Sequence, residues 1–227
     1  MGVVYMKLEG LKINFLGDSI THIGLASSAD TLYHAVLKKD AGLALARNYG
    51  IGGTRYALQK GTEKRPKNEH EDIKSFCERF DQMDDDADVV VVFGGTNDYG
   101  HGDAPLGCFD DRTPDTFYGA CHYLYSGLIK KYLGKPIVIM TPLHRCNELN
   151  IPDIKMPGDY GDLKAYTDII REVAEYYSLP VLDLFATSGL QPEIKEIKEK
   201  YIPDGLHPND DGNMIIAHKL RLFLESL

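Results

Sequence analysis

Five consecutive apolar residues, Val89-Val90-Val91-Val92-Phe93, restrict this chain's architecture more than any other stretch. β-Branched and aromatic residues favour a strand, and an apolar run without polar alternation is covered on both faces. Parallel sheets bury their strands that way, because crossover helices pack above and below them. Residues 11–16, 43–49, 136–140 and 179–184 supply further strand candidates. Helical patterns fall between them. One runs from a cap at Ser27 or Ser28 to about Lys39, with Leu32, Ala35, Val36 and Lys39 on one face. Others pass through Ile73, Phe76 and Phe80, run from Thr113-Pro114 to Tyr132, and place Leu163, Tyr166, Ile170, Val173 and Tyr177 at helical spacing. The last starts near Asn209 or Asp210 and buries Ile216, Leu220, Phe223, Leu224 and Leu227. Residues 56–70 are polar and read as a surface loop, with Lys60, Lys64, Arg65 and Lys67 as a solvated face, and a second polar segment surrounds Pro192. Strand and helix alternate without repeat or linker. The expectation is one domain over residues 1–227, a three-layer α/β/α sandwich on a mostly parallel sheet of about five strands.

Composition narrows the class of partner. A net charge of −9 over 227 residues argues against nucleic acid or an anionic membrane, both of which reward a basic face. Cys77, Cys108, Cys121 and Cys146 form no C-x-x-C pair, so neither a zinc knuckle nor a redox dithiol is suggested. Neither a leader-like N-terminus nor a window near the ~20 apolar residues of a membrane span is visible. The chain reads as cytoplasmic and soluble, with export by another route left open. Oligomeric state is not readable.

Candidate chemistry lies where strands end. The first strand runs into Gly17-Asp18-Ser19-Ile20-Thr21, which presents a hydroxyl at the carboxyl edge of the sheet, where open α/β folds bind ligands. The second runs into Asn48-Tyr49-Gly50-Ile51-Gly52-Gly53-Thr54, and the third into Gly94-Gly95-Thr96-Asn97-Asp98. Near the end, Asp204 and His207 share one tight turn. Nucleophilic acyl transfer needs a hydroxyl, a base, an acid that orients the base, and donors for an oxyanion. Ser19 is the candidate nucleophile, His207 the base and Asp204 its orienting acid. The backbone N–H groups of Ser19 and Gly53 and the Asn97 carboxamide are the candidate oxyanion donors. Asp18 fits better as the organiser of its turn than as a proton carrier. His101 and the His144-Arg145 pair sit at sheet exits and are candidates for the cleft wall.

These four blocks, in this order, resemble the GDSL/SGNH hydrolase family of serine esterases and acylhydrolases. The resemblance implies a flavodoxin-like α/β sandwich, a Ser-His-Asp triad and a cofactor-free, metal-free reaction on a small-molecule ester. Aligning on Asn48 and Ile51 makes Gly53 the oxyanion glycine, and Gly52 takes its place if the register slips by one. An acidic residue often follows that glycine in the family, where this chain has Thr54. With no long amphipathic lid, the expected substrate is small or acetylated, an acetylated carbohydrate being one candidate.

Rival readings are weaker. G-x-S-x-G and the phosphate-binding G-x-x-x-x-G-K-[ST] are absent, and Gly50 to Arg55 breaks G-x-G-x-x-G at its last position. A metal-dependent phosphoesterase would draw on Asp98, His101, Asp103, Asp204 and His207. A non-catalytic binding module of the same fold would leave Ser19 unreactive.

Overall fold

A computed structural model describes residues 6–58, 74–149 and 160–227. In chain order its elements are β1 (Lys12–Gly17), α1 (Ser19–His22), α2 (Tyr33–Ala41), β2 (Leu45–Gly50), α3 (Phe76–Arg79), β3 (Val89–Phe93), α4 (Thr96–His101) and α5 (Phe117–Lys131). There follow β4 (Ile137–Met140), α6 (Leu163–Tyr176), β5 (Val181–Leu182), α7 (Leu184–Thr187), α8 (Lys195–Tyr201) and α9 (Asp210–Glu225). The five strands form one all-parallel sheet in the order β2-β1-β3-β4-β5. The order reverses direction between β1 and β3, so the switch point of this doubly wound sheet lies at the exits of those two strands.

Period-2 alternation divides the core into two layers. Ile13, Phe15, Val89, Val91, Phe93, Val138 and Met140 pack with α2 and α9 residues such as Leu37, Ile216 and Leu220. Leu16, Val90, Val92 and Ile139 face the other way, toward Leu124 and Leu128 of α5 and Ile170 and Val173 of α6. All five residues of β3 are buried, as the apolar run requires. β2, at the sheet's edge, is only partly covered.

Several sequence expectations need correction. Ser28 caps a 3-10 turn over Ala29–Thr31, and α2 begins only at Tyr33, which rotates its buried face to Tyr33, His34 and Leu37. α5 starts at Phe117 because Thr116, rather than Thr113, accepts the Gly119 N–H. β5 is two residues long. Tyr56 and Ala57, expected in a surface loop, are fully buried in the core. Ile73, the four basic residues from Lys60 to Lys67, and residues 150–158 of the expected β4–α6 loop lie outside the described residues. Among the described residues, no helix is long and apolar enough to cross a membrane.

Candidate active site

The turn after β1 closes tightly. A Cβ at Gly17 would lie 2.0 Å from Thr21 Oγ1 and 3.1 Å from the Phe93 carbonyl, so only glycine lets the chain fold back here. Asp18 caps α1 by accepting the Ile20 N–H at 3.0 Å. Ser19 is therefore the first helical residue, a position whose N–H has no acceptor within the helix. Asp18 is fully buried and its Oδ2 has no hydrogen-bond partner. Burial drives its carboxyl up to about 6 and Asp98 adds to the rise, while the Ile20 N–H and the Arg79 charge oppose it.

His207 and Asp204 reach Ser19 from the turn before α9. His207 Nε2 lies 2.9 Å from Ser19 Oγ, and its Nδ1 lies 2.7 Å from Asp204 Oδ2. Nδ1–H donates to the carboxylate, which leaves the Nε2 lone pair to accept the serine hydroxyl. Asp204 Oδ1 also accepts the backbone N–H groups of Leu206 at 2.9 Å and His207 at 2.7 Å. Partial burial pushes the Asp204 carboxyl up, but these bonds and the imidazole outweigh it and hold the group below its ordinary value. Behind the imidazole a Cβ on Gly24 would be 3.6 Å from His207 Cβ, so the ring rests against the loop that follows α1.

The exits of β2 and β3 meet on the other side of Ser19. Gly53 adopts φ +74, a left-handed turn that glycine accepts without strain. Gly52 borders the serine: a Cβ there would lie 3.9 Å from Ser19 Cβ. Asn97, buried on α4, donates through Nδ2 to the Thr54 carbonyl at 3.0 Å. Its Oδ1 lies 3.1 Å from His101 Nε2, and His101 Nδ1 lies 3.3 Å from Arg55 Nη1. A guanidinium can only donate, so Nδ1 accepts, Nε2 carries the ring proton, and that proton goes to Asn97 Oδ1. The carboxamide is thereby fixed, with its second N–H not used by these bonds. Asp98 accepts the N–H groups of Tyr56 at 3.0 Å and Ala57 at 3.1 Å, which ties the β2 exit to α4.

Arg79 is the residue that sequence reasoning missed. Its guanidinium donates to the carbonyls of Gly17, at 2.7 Å, and Tyr49, and to Thr54 Oγ1 at 3.2 Å. One buried cation therefore holds the exits of β1 and β2 together, beside the threonine that replaces the family's usual acid. Burial lowers its pKa to about 10, against the pull of Asp18. The available signal was its place between Phe76 and Phe80, on the apolar side of a helical pattern.

Ser19, Asn97, Asp204 and His207 thus come together at this edge of the sheet, and the exit of β2 sets Gly52 against Ser19 and turns left-handed at Gly53. The candidate metal ligands do not converge as a set, although Asp204 and His207 pair with each other. Asp98 is spent on backbone N–H groups and His101 on Asn97 and Arg55, and no cluster of three metal-ligating side chains exists among the described residues.

Comparison with known proteins adds three kinds of finding. The model of the GDSL-like lipase/acylhydrolase family matches residues 15–215. No curated protein matches. Among solved structures, a protein from Lactobacillus plantarum is 30% identical over 96% of this chain and 98% of its own, with a TM-score of 0.80. A possible lipase from Chitinophaga pinensis is 21% identical over 93% and 96%, with a TM-score of 0.66. A two-domain esterase active on acetylated mannans, co-crystallised with mannopentaose, is 21% identical over 96% of this chain and 49% of its own, with a TM-score of 0.61. These last two share the fold.

Proposed function

Because the chain belongs to the GDSL-like lipase/acylhydrolase family and is an ester hydrolase, we propose that it works through an acyl-enzyme on Ser19. The observation that carries this reading is the linear chain Ser19 Oγ, His207 Nε2, His207 Nδ1, Asp204 Oδ2, with gaps of 2.9 Å and 2.7 Å. Ser19 Oγ attacks the ester carbonyl as its proton passes to His207 Nε2. The carbonyl oxygen becomes an oxyanion, held by the N–H groups of Ser19 and Gly53 and the Nδ2 of Asn97. The intermediate collapses, the C–O bond to the alcohol breaks, and the alcohol leaves with the proton from Nε2. Water then attacks the acyl-enzyme through the same base and releases the acid. Asp204 stays ionised throughout, which its three hydrogen bonds and lowered pKa support. No metal or organic cofactor takes part in these steps.

The substrate we propose is a small ester, acetyl esters and acetylated carbohydrates first among them. The acetylated-mannan esterase that shares the fold is consistent with that class. Rates on p-nitrophenyl esters from acetate to decanoate test both halves. Turnover should fall with chain length, resist EDTA and vanish in Ser19→Ala. A variant as active as the native enzyme would overturn the assignment of Ser19, and loss with EDTA would overturn the metal-free mechanism.

A further inference from the structure

β4 is the next strand beyond β3, so its exit flanks Asn97 on the side away from Gly53. Arg145 lies on that exit. Its Nη1 donates to Thr96 O at 3.2 Å and Thr96 Oγ1 at 3.1 Å, one residue before Asn97. The guanidinium lies over the Tyr99 ring, 5.4 Å from its centroid, and against Gly100, where a Cβ would be 2.8 Å from Nη1. The next residue, Cys146, donates its N–H to Gly205 O at 2.8 Å, inside the turn that carries Asp204 and His207. Arg145 thus reaches from the acid–base turn to the residue beside the oxyanion donor.

The Asp18 and Asp204 charges act on Arg145 from a distance, without an ion pair to either. Among the described residues no carboxylate pairs with it. Glu148, on the same loop, is occupied by His144 Nδ1 at 2.7 and 2.9 Å, the Arg145 backbone N–H at 3.0 Å and Gln191 Nε2 at 3.3 Å. Nε is buried without a partner, while Nη2 makes no hydrogen bond and is not sealed from solvent. Holding α4 in place uses Nη1 alone. A half-buried guanidinium with an unused nitrogen, in a chain of net charge −9, puts a positive charge beside the residue next to Asn97.

We propose that Arg145 determines specificity by binding a carboxylate on the alcohol half of the ester, so that the preferred substrates are O-acylated hydroxy acids or acidic sugars. The alcohol half is singled out because Arg145 adjoins the turn of His207, which delivers the proton to the leaving group. A planar guanidinium with an unused nitrogen suits a carboxylate better than a neutral hydroxyl. The inference rests on the serine-esterase reading.

The test compares 4-acetoxybenzoate with the neutral 4-acetoxybenzamide on the native protein, Arg145→Lys, Arg145→Gln and Ser19→Ala. The native enzyme should prefer the benzoate. Arg145→Gln should lose about 10- to 100-fold in kcat/KM on the benzoate, mainly through KM, which is the range of a hydrogen bond to a charged group. The amide should lose less, since it shares only the loosening of α4 when the bonds to Thr96 go, and Arg145→Lys should fall between. Equal losses on both substrates would make Arg145 only a clamp on α4 and overturn the proposal. So would a native preference for mono(4-nitrophenyl) succinate, with its carboxylate on the acyl half, over p-nitrophenyl acetate that Arg145→Gln abolishes. Serine-dependent turnover of the benzamide secures the esterase reading independently, and its absence sinks that reading rather than the role of Arg145 alone.

Discussion

Asp18 and Asp204 are the same local device in two environments. Each caps its turn by accepting the N–H two residues ahead, Ile20 at 3.0 Å and Leu206 at 2.9 Å. Asp18 is sealed in the sheet edge, where desolvation outweighs its single hydrogen bond and the pKa rises to about 6. Asp204 keeps 40% of its side chain exposed, and three bonds outweigh a smaller burial cost. The comparison separates the two halves of the site. The proposed nucleophile and oxyanion half is built into strand exits pinned by the buried Arg79 and Asp98. The acid–base half arrives on a surface turn, where a carboxylate can remain charged beside an imidazole.

The largest effect should come from the exposed member. Asp204→Asn keeps the shape but removes the charge that selects the Nδ1–H tautomer, and turnover should fall about 10⁴-fold, as in other triads of this type. Steady-state rates on p-nitrophenyl acetate measure it. A loss under tenfold would remove Asp204 from the triad.

Asn97→Ala comes next, with an expected loss of about 10²–10³ in kcat and little change in KM, because an oxyanion donor acts on the transition state. His101→Ala should lose less, since it removes only the group that fixes the carboxamide, and His101→Gln should recover part of that loss. If Asn97→Ala raised KM at constant kcat, the buried half of the site would be holding substrate rather than charge.

What the sequence made legible follows the same division. Ser19, Asn97, Asp204 and His207 stand in short blocks whose residue types are themselves chemical requirements, so pattern alone singles them out as candidates, while it leaves Gly52 and Gly53 both open. Val89–Phe93 is legible because both faces of β3 are apolar. α4 carries no helical signal in the sequence, since Gly95, Gly100 and Gly102 are poor helix formers; its six residues are pinned by Asp98 on the Tyr56 and Ala57 N–H groups and by Arg145 on Thr96. Tyr56 and Ala57 were masked by the polar stretch that follows them. Arg79's place on the apolar side of its helix hints at burial, but its role is not legible, because its three acceptors come from segments 25 to 62 residues away. Tertiary acceptors leave no local trace.

The smallest expected effect is on stability, and it tests the comparison directly. Asp18 has a folded pKa of about 6 against an ordinary 3.8. Between those values the folded protein keeps a proton that the unfolded chain has released, so the stabilisation present below pH 3.8 is lost as pH rises through 6. The shift of about 2.2 units (6 − 3.8) corresponds to about 3 kcal/mol at most. Asp204, with its pKa lowered, has the opposite sign: its contribution is present at neutral pH and is lost as pH falls through its folded pKa. Urea denaturation of the native protein, Asp18→Asn and Asp204→Asn at pH 4.5 and pH 8 compares them. Relative to the native protein, Asp18→Asn should become more favourable at the higher pH, while the carboxyl-linked cost of Asp204→Asn should be nearly the same at both, because its titration window lies below pH 3.8. Constant terms from the new amide cancel in each difference between the two pH values. If Asp18→Asn gave the same difference at both, desolvation would not govern the carboxyl beside the nucleophile, and the contrast between the two turns would collapse.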